Sequence, residues 1–368
     1  MAVSASDPVV LTGCGWVTPF AAGSIADVLT AACPSRGLSR RAGTRTTAST
    51  ESHEPLGDEG FRSVPGEWID DYPEFAKELK LDKGAWMTAA ALVHACRDAS
   101  LQIESLDAAR VGLALGCGLA GQLGMIDFAC EVREQSSRFV SPIHFPQTVG
   151  NYIAGALARG FKIRGPNITL AAGDASGLDA IVEACGFITA GGADVAFAGG
   201  TEQLSKPLAG SLARPGEALG EGSCLFVLER SGHATARSTR PLARVTRWGH
   251  LGERAMAVRP DDAGSEGEAG GSPILSVAGC RYPGAIFIEH WIGRCLGASG
   301  PAAVAAAIGA ARQREVPLIN ASEVTSVSTG RITVSELPTA EGMIPALIIA
   351  DADGTHRTTL EITIPASG

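Results

Sequence analysis

Short apolar runs alternate along this chain with stretches of helical period, and the alternation predicts strands followed by helices. Val9 to Leu11 reads as a strand, Thr12 to Pro19 as a glycine-punctuated turn, and Ser24 as the cap of a helix to Ala32. Trp86 to Ala99 is strongly amphipathic. Val111 to Leu115 is a strand entering the glycine-rich Gly116 to Gly121. Met125 to Gln135 and Asn151 to Arg159 predict helices on either side of an extended segment, Arg138 to Pro146. From Asn167 an apolar run alternates like a buried strand, turns at Ala172-Gly173 and continues as an amphipathic helix through Cys185. Ala193 to Phe197 predicts another strand, ending in Gly199-Gly200-Thr201-Glu202. Later strands are expected at Cys224 to Leu228, Leu242 to Trp248, Ile286 to Glu289, Pro345 to Ala350 and Thr358 to Ile364, with an alanine-rich helix from Gly297 to Arg312. Such a succession predicts a largely parallel, helix-covered sheet. Two stretches break it, Pro34 to Pro65 and Leu251 to Pro273. Both are expected to be loops.

Composition narrows the function classes. At 368 residues the chain suits two similar halves or one large α/β unit. A net charge of −9 argues against a nucleic-acid or membrane-surface binder. Nine cysteines without a CxxC pair or a zinc-like His spacing read as reduced, buried thiols. No apolar run reaches the roughly 18 residues that span a bilayer, so a cytoplasmic protein with no membrane and no nucleic-acid partner is expected. The turn at Gly116 to Gly121 lacks a nucleotide-binding fingerprint. No metal, nucleotide or flavin is implied.

The chemistry-bearing position is Asp174, at the bend between strand and helix. Helix N-termini concentrate unpaired N–H groups and positive potential. A carboxylate there is ordinarily an N-cap contributing about 1 kcal/mol; the sharper reading is a general base with a pKa raised by burial. His290, beside Trp291, and His144, before Phe145-Pro146, read as packed, hydrogen-bonded residues. Gln122, Met125 and Phe128 recur at helical spacing.

Several of these pieces resemble, in order, the β-ketoacyl synthases of the thiolase fold: VVLTGCGWVTPF, LDKGAWMTAAALVHACRDASL, SPIHFPQTVGNYIAGALA, RGPNITLAAGDASGLDAIVEACGFITAGGADVAFAGGTE, LGEGSCLFVLE and IGRCLGASGPAAVAAAI. The resemblance implies a thiolase-like five-layered αβαβα architecture with internal duplication. It divides the chain into a ketosynthase-like half at 1–230 and a shortened one at 231–368, and implies a dimer formed through the nucleophile-bearing strand. It also implies a catalytic set of a Cys thiolate, two histidines and a glycine-rich oxyanion loop. Against that set, Asp174 holds the nucleophile position and Arg294 the second histidine position. The first histidine belongs to a segment missing between His250 and Glu289, and Thr339-Ala340-Glu341-Gly342 replaces the oxyanion loop.

Ala172-Gly173-Asp174-Ala175-Ser176-Gly177-Leu178-Asp179-Ala180 is similar to the chain length factors, whose nucleophile position carries another residue, often Gln. That resemblance implies a catalytically silent subunit that pairs with an active ketosynthase in fatty acid or polyketide (polyene-type) biosynthesis. Gln122, Met125 and Phe128 would then close the partner's acyl pocket at the dimer interface, although ordinary core packing accounts for them equally well. Phosphopantetheine would come only on an acyl carrier protein. The alternatives are a divergent β-ketoacyl synthase, a malonyl-carrier decarboxylase using Asp174, or a homodimeric scaffold. Arg294 can bind a phosphate or carboxylate, or pair with Asp174 or Glu289; if the two halves close as in the family, an Asp174–Arg294 pair fills the site with a structural ion pair.

Overall fold

A computed structural model describes residues 7–32, 45–46, 60–65, 81–119, 121–140, 142, 144–213, 218–251, 274–278, 286, 289–313, 315–319, 329–333, 343–352 and 356–365. Most of Pro34 to Pro65 and nearly all of Leu251 to Pro273, both expected as loops, lie outside these residues, as does Thr339 to Gly342.

Nine strands form the path of one large sheet: β1 (Val9–Val17), β2 (Val111–Gly116), β3 (Asn167–Leu170), β4 (Val195–Glu202), β5 (Gly222–Arg230), β6 (Ala243–Leu251), β7 (Ile274–Ala278), β8 (Met343–Ala352) and β9 (His356–Pro365). Their order is β7-β8-β9-β6-β1-β5-β4-β2-β3. The expectation of a largely parallel sheet needs correction. β3, β2 and β4 are mutually parallel, and so are β7 and β8, but every pairing from β4 through β5, β1, β6 and β9 to β8 is antiparallel. Parallel pairing needs a crossover on one face of the sheet. The chain supplies one between β2 and β3 and another between β3 and β4, whereas β8 returns directly into β9 with Ala352 opposite His356.

Six helices bear on the site: α1 (Ile25–Ala32), α2 (Lys83–Asp98), α3 (Gln122–Gln135), α4 (Tyr152–Gly160), α5 (Ser176–Thr189) and α6 (Ser299–Gln313). α2 and α4 cover one face of the N-terminal strands, with Met87, Leu92 and Leu157 against Leu113, Leu115 and Phe197. α5 and α6 lie between that strand group and the C-terminal one, with Leu178, Ile181, Val304 and Ile308 in a core shared with Phe226, Ile348 and Ile362. Strands β1, β2 and β4 are consequently buried at every position, the mark of a sheet covered on both faces. β9 alternates buried and half-buried residues instead.

Two local expectations fail for reasons of packing. Thr12 to Val17 is not a turn but the continuation of β1. Its glycines serve close approach: a Cβ on Gly13 would lie 2.3 Å from the Ala95 carbonyl oxygen of α2, and one on Gly15 would lie 1.8 Å from that of Ala91. Asn167–Leu170, expected as a buried strand, is the edge strand and only partly buried. The strand expected at Ile286 to Glu289 is an isolated bridge from Ile286 to Ser276, followed by a helical turn, Glu289–Ile292. The extended segment before Pro146 runs into a 3-10 turn, Phe145–Thr148. Among the described residues no helix is long and apolar enough to cross a membrane.

Candidate functional site

β3 delivers the chain to a single 3-10 turn, Gly173–Ala175, and α5 starts at Ser176. Gly173 has φ +56°, the left-handed region that glycine enters without a Cβ penalty. The Ser176 hydroxyl accepts from the Ala172 N–H at 2.7 Å and donates to the Gly173 carbonyl at 2.7 Å, locking the bend.

Four glycines bring backbones together beneath this turn. A Cβ on Gly116 would meet the Gly177 nitrogen at 2.3 Å, one on Gly177 the Gly297 carbonyl oxygen at 2.2 Å, and one on Gly200 the same oxygen at 1.8 Å. A Cβ on Gly297 would reach the Cys117 Cα at 2.8 Å. The ends of β2 and β4, the start of α5 and the Leu296–Ala298 turn before α6 therefore form one tight junction.

Asp174 lies in that junction, 1% exposed. The N-cap expectation is overturned, because the cap position of α5 is Ala175, which makes no side-chain cap bond. The Asp174 carboxylate instead accepts from Arg294: from Nε to Oδ1 at 2.8 Å and to Oδ2 at 3.0 Å, and from Nη2 to Oδ2 at 2.5 Å. The guanidinium fork spans both carboxylate oxygens, a geometry Lys cannot reproduce. Arg294 is 8% exposed, and its main chain is fixed by bonds to Ala218 and Gly220 at 2.8 and 3.0 Å. The side chain of His290 and all of Glu341 lie outside the described residues.

The cysteine next to Arg294 in the chain is not a ready thiolate. Cys295, adjacent to Arg294, is buried and donates to the Gly293 carbonyl at 3.3 Å. Burial first, then the charges of Glu289 and Glu202, push its thiol far above the ordinary range, which disfavours the nucleophilic form.

Glu202, at the end of β4, is a site residue that sequence reasoning missed, although an acid soon after the apolar run Val195 to Gly200 was a visible signal. Its carboxylate accepts from the N–H groups of Gly118 at 2.7 Å, Gly297 at 3.1 Å and Leu119 at 3.3 Å, joining the glycine-rich loop to the turn before α6. Burial raises its pKa from 4.5 to about 7 against the opposing pull of those donors. The unfolded chain therefore ionises this group first, and its stabilising contribution is whole below pH 4.5 and lost as pH rises to about 7. Glu202→Gln should gain on the wild type by about 3 kcal/mol across that window, read as urea-denaturation free energies at its two ends. An unchanged difference would refute the assignment. A cavity of about 30 Å³ touches Glu202, Gln122, Leu123 and Tyr152, large enough to admit water.

Gln122, Met125 and Phe128 lie on α3, none of whose residues is buried. Core packing within the chain therefore does not account for them. Phe128 packs edge-to-face on Phe145 with centroids 5.8 Å apart. Met125, Ile126, Phe139, Phe145 and Val149 are all exposed on this side. α4 packs against both the Phe145–Thr148 turn and β3. On β3 the buried Thr169 hydroxyl has no hydrogen-bond partner. His144 contacts Glu131 of α3 through Nδ1 at 3.1 Å, but its side chain is exposed, not packed as expected.

Comparison with known proteins defines the class. Residues 6–227 match the family model of the β-ketoacyl synthase N-terminal domain. The 3-oxoacyl-[acyl-carrier-protein] synthase 2 of Rhizobium meliloti is 30% identical over 70% of this chain and 67% of its own length. That of Vibrio cholerae is 32% identical over 55% of each, so the chain spans about half the length of this relative. Among solved structures, a β-ketoacyl synthase from Burkholderia phymatum superposes with TM-score 0.72 at 20% identity, covering 97% of this chain and 99% of that one. The ishigamide ketosynthase/chain length factor gives 0.71 at 17% identity, covering 98% and 100%. These likenesses show an α/β fold of the thiolase-like class. The chain belongs to the β-ketoacyl synthase family.

Proposed function

We propose that this chain is a non-catalytic, chain-length-factor-like subunit that pairs with an active β-ketoacyl-carrier synthase and shapes its acyl pocket. The observation that carries the reading is the buried Asp174–Arg294 pair. The resemblance to the family puts its thiol at this bend and a histidine at Arg294; here a carboxylate is clamped by a guanidinium instead. A carboxylate so held is a poor acyl acceptor, and it would repel the oxyanion of a thioester under attack. The malonyl-carrier decarboxylase alternative would need this same carboxylate free to act on substrate. Acyl groups would arrive on the phosphopantetheine of an acyl carrier protein and react on the partner, in fatty acid or polyketide synthesis. A cytoplasmic setting fits that chemistry.

The partner's place would be the edge strand β3 with the exposed face of α3. Among the described residues β3 has an open edge, which offers backbone groups for a further strand, and Met125 and Phe145 bring exposed apolar area. Coexpression with a Cys-bearing ketosynthase should yield a one-to-one complex by native mass spectrometry. In the reconstituted pair Phe128→Ala should lengthen the product. A chain that stays homodimeric beside every ketosynthase tried, or a product of unchanged length, speaks against the proposal.

A further inference from the structure

Away from the Asp174 junction, three side chains converge that are far apart in sequence. Asp179 sits in the first turn of α5, His250 near the end of β6 and His356 at the start of β9. The pairing of β6 with β9 sets His250 opposite Thr358, two residues after His356. His250 Nδ1 lies 3.3 Å from Asp179 Oδ1, and His356 Nε2 lies 3.0 Å from Oδ2. One donor atom from each residue falls within 4.8 Å of the other two. The two imidazoles stack with centroids 5.5 Å apart and planes 28° from parallel.

We infer that Asp179, His250 and His356 bind a divalent transition cation of the zinc class. Two imidazole nitrogens and one carboxylate form a borderline donor set, suited to such ions and not to magnesium or calcium, which take oxygen. Ligand bonds of about 2.0–2.1 Å in a tetrahedron place donor atoms about 3.3 Å apart, and Asp179 Oδ1 lies 3.3 Å from His250 Nδ1 and 3.2 Å from His356 Nε2, so a single carboxylate oxygen keeps that spacing to both imidazoles. The Thr358 hydroxyl donates to Asp179 Oδ1, which orients the carboxylate as outer-shell partners of metal ligands do. Asp179 is buried, whereas the side chains of His250 and His356 are 42% and 35% exposed. The site is therefore anchored at its base and open outward for ion entry and a water as fourth ligand. Filled, it ties the helix that carries Asp179 to the C-terminal strand pair.

The test uses the full chain, stripped with a chelator and titrated with cobalt(II). The inference expects one ion per chain, visible d–d absorption without a thiolate charge-transfer band, and displacement by zinc. His250→Gln and His356→Gln should each weaken binding by more than the roughly 10–100-fold that outer-shell changes cost, and Thr358→Val by about that range. Zinc should raise the thermal midpoint of the wild type but of neither histidine variant, and His144→Gln should bind as the wild type does. A thiolate band, an affinity that survives both histidine substitutions, or no binding at all overturns the site. In the last case the cluster is a hydrogen-bonded Asp–His–His group.

Discussion

Arg294→Met should cost the folded chain about 3–5 kcal/mol, the range observed when one partner of a buried ion pair is removed. Met keeps much of the length of the side chain but leaves Asp174 a carboxylate that is 1% exposed and has lost three charge-assisted hydrogen bonds. Desolvation of that charge, not the lost attraction, dominates the cost. The second substitution distinguishes this account from simple loss of packing. Asp174→Asn on the Arg294→Met background removes the charge that lost its guanidinium and should recover most of the stability, because apolar or neutral replacement of a whole buried pair is often close to neutral. Urea denaturation with an unchanged m-value checks both outcomes. Equal instability of the single and double variants would show that the pair is not what holds the junction.

Gly200→Ala should be comparably severe. Its new methyl would lie 1.8 Å from the Gly297 carbonyl oxygen and 2.6 Å from the carbonyl carbon, both backbone atoms of the turn that starts α6. No rotamer relieves a Cβ clash, so β4 and that turn must separate. Overpacking ordinarily costs about 1–3 kcal/mol when flexible side chains yield, and a backbone-to-Cβ clash belongs at or above the top of that range. Separation would also pull Gly297 off Glu202, whose carboxylate it meets at 3.1 Å. Gly155→Ala is the matched control: in α4, with nothing within 4 Å of the place its methyl would take, it should stabilise the isolated chain by roughly 0.5–1 kcal/mol. Similar effects of the two substitutions on the denaturation midpoint would contradict the packing account.

Local pattern was enough for elements whose burial is decided by their own periodicity. The helices Lys83–Asp98 and Ser176–Thr189 and the strand Val195–Glu202 emerge close to where the sequence places them. It failed where a distant backbone decides. Gly13 and Gly15 look like a turn until α2 is laid across them, and Asn167–Leu170 has the composition of a buried strand although it forms the sheet edge. The site divides the same way. Asp174 at a strand-to-helix bend was legible, but local physics made it an N-cap, because its partner is 120 positions away. Resemblance to the ketosynthases, and not spacing, brought Arg294 into view. Glu202 needed only attention to an acid closing an apolar strand. His250 and His356 had no signal at all, since their meeting with Asp179 depends on the β6–β9 register.

The central claim is that this chain performs no ketosynthase chemistry by itself. The direct measurement is release of labelled carbon dioxide when the purified chain, without a partner, is incubated with malonyl-carrier protein labelled at the free carboxyl. The predicted result is release no faster than from the carrier alone, for the wild type and for Asp174→Asn alike. Release above that background, abolished by Asp174→Asn, would contradict the claim and make Asp174 a catalytic residue.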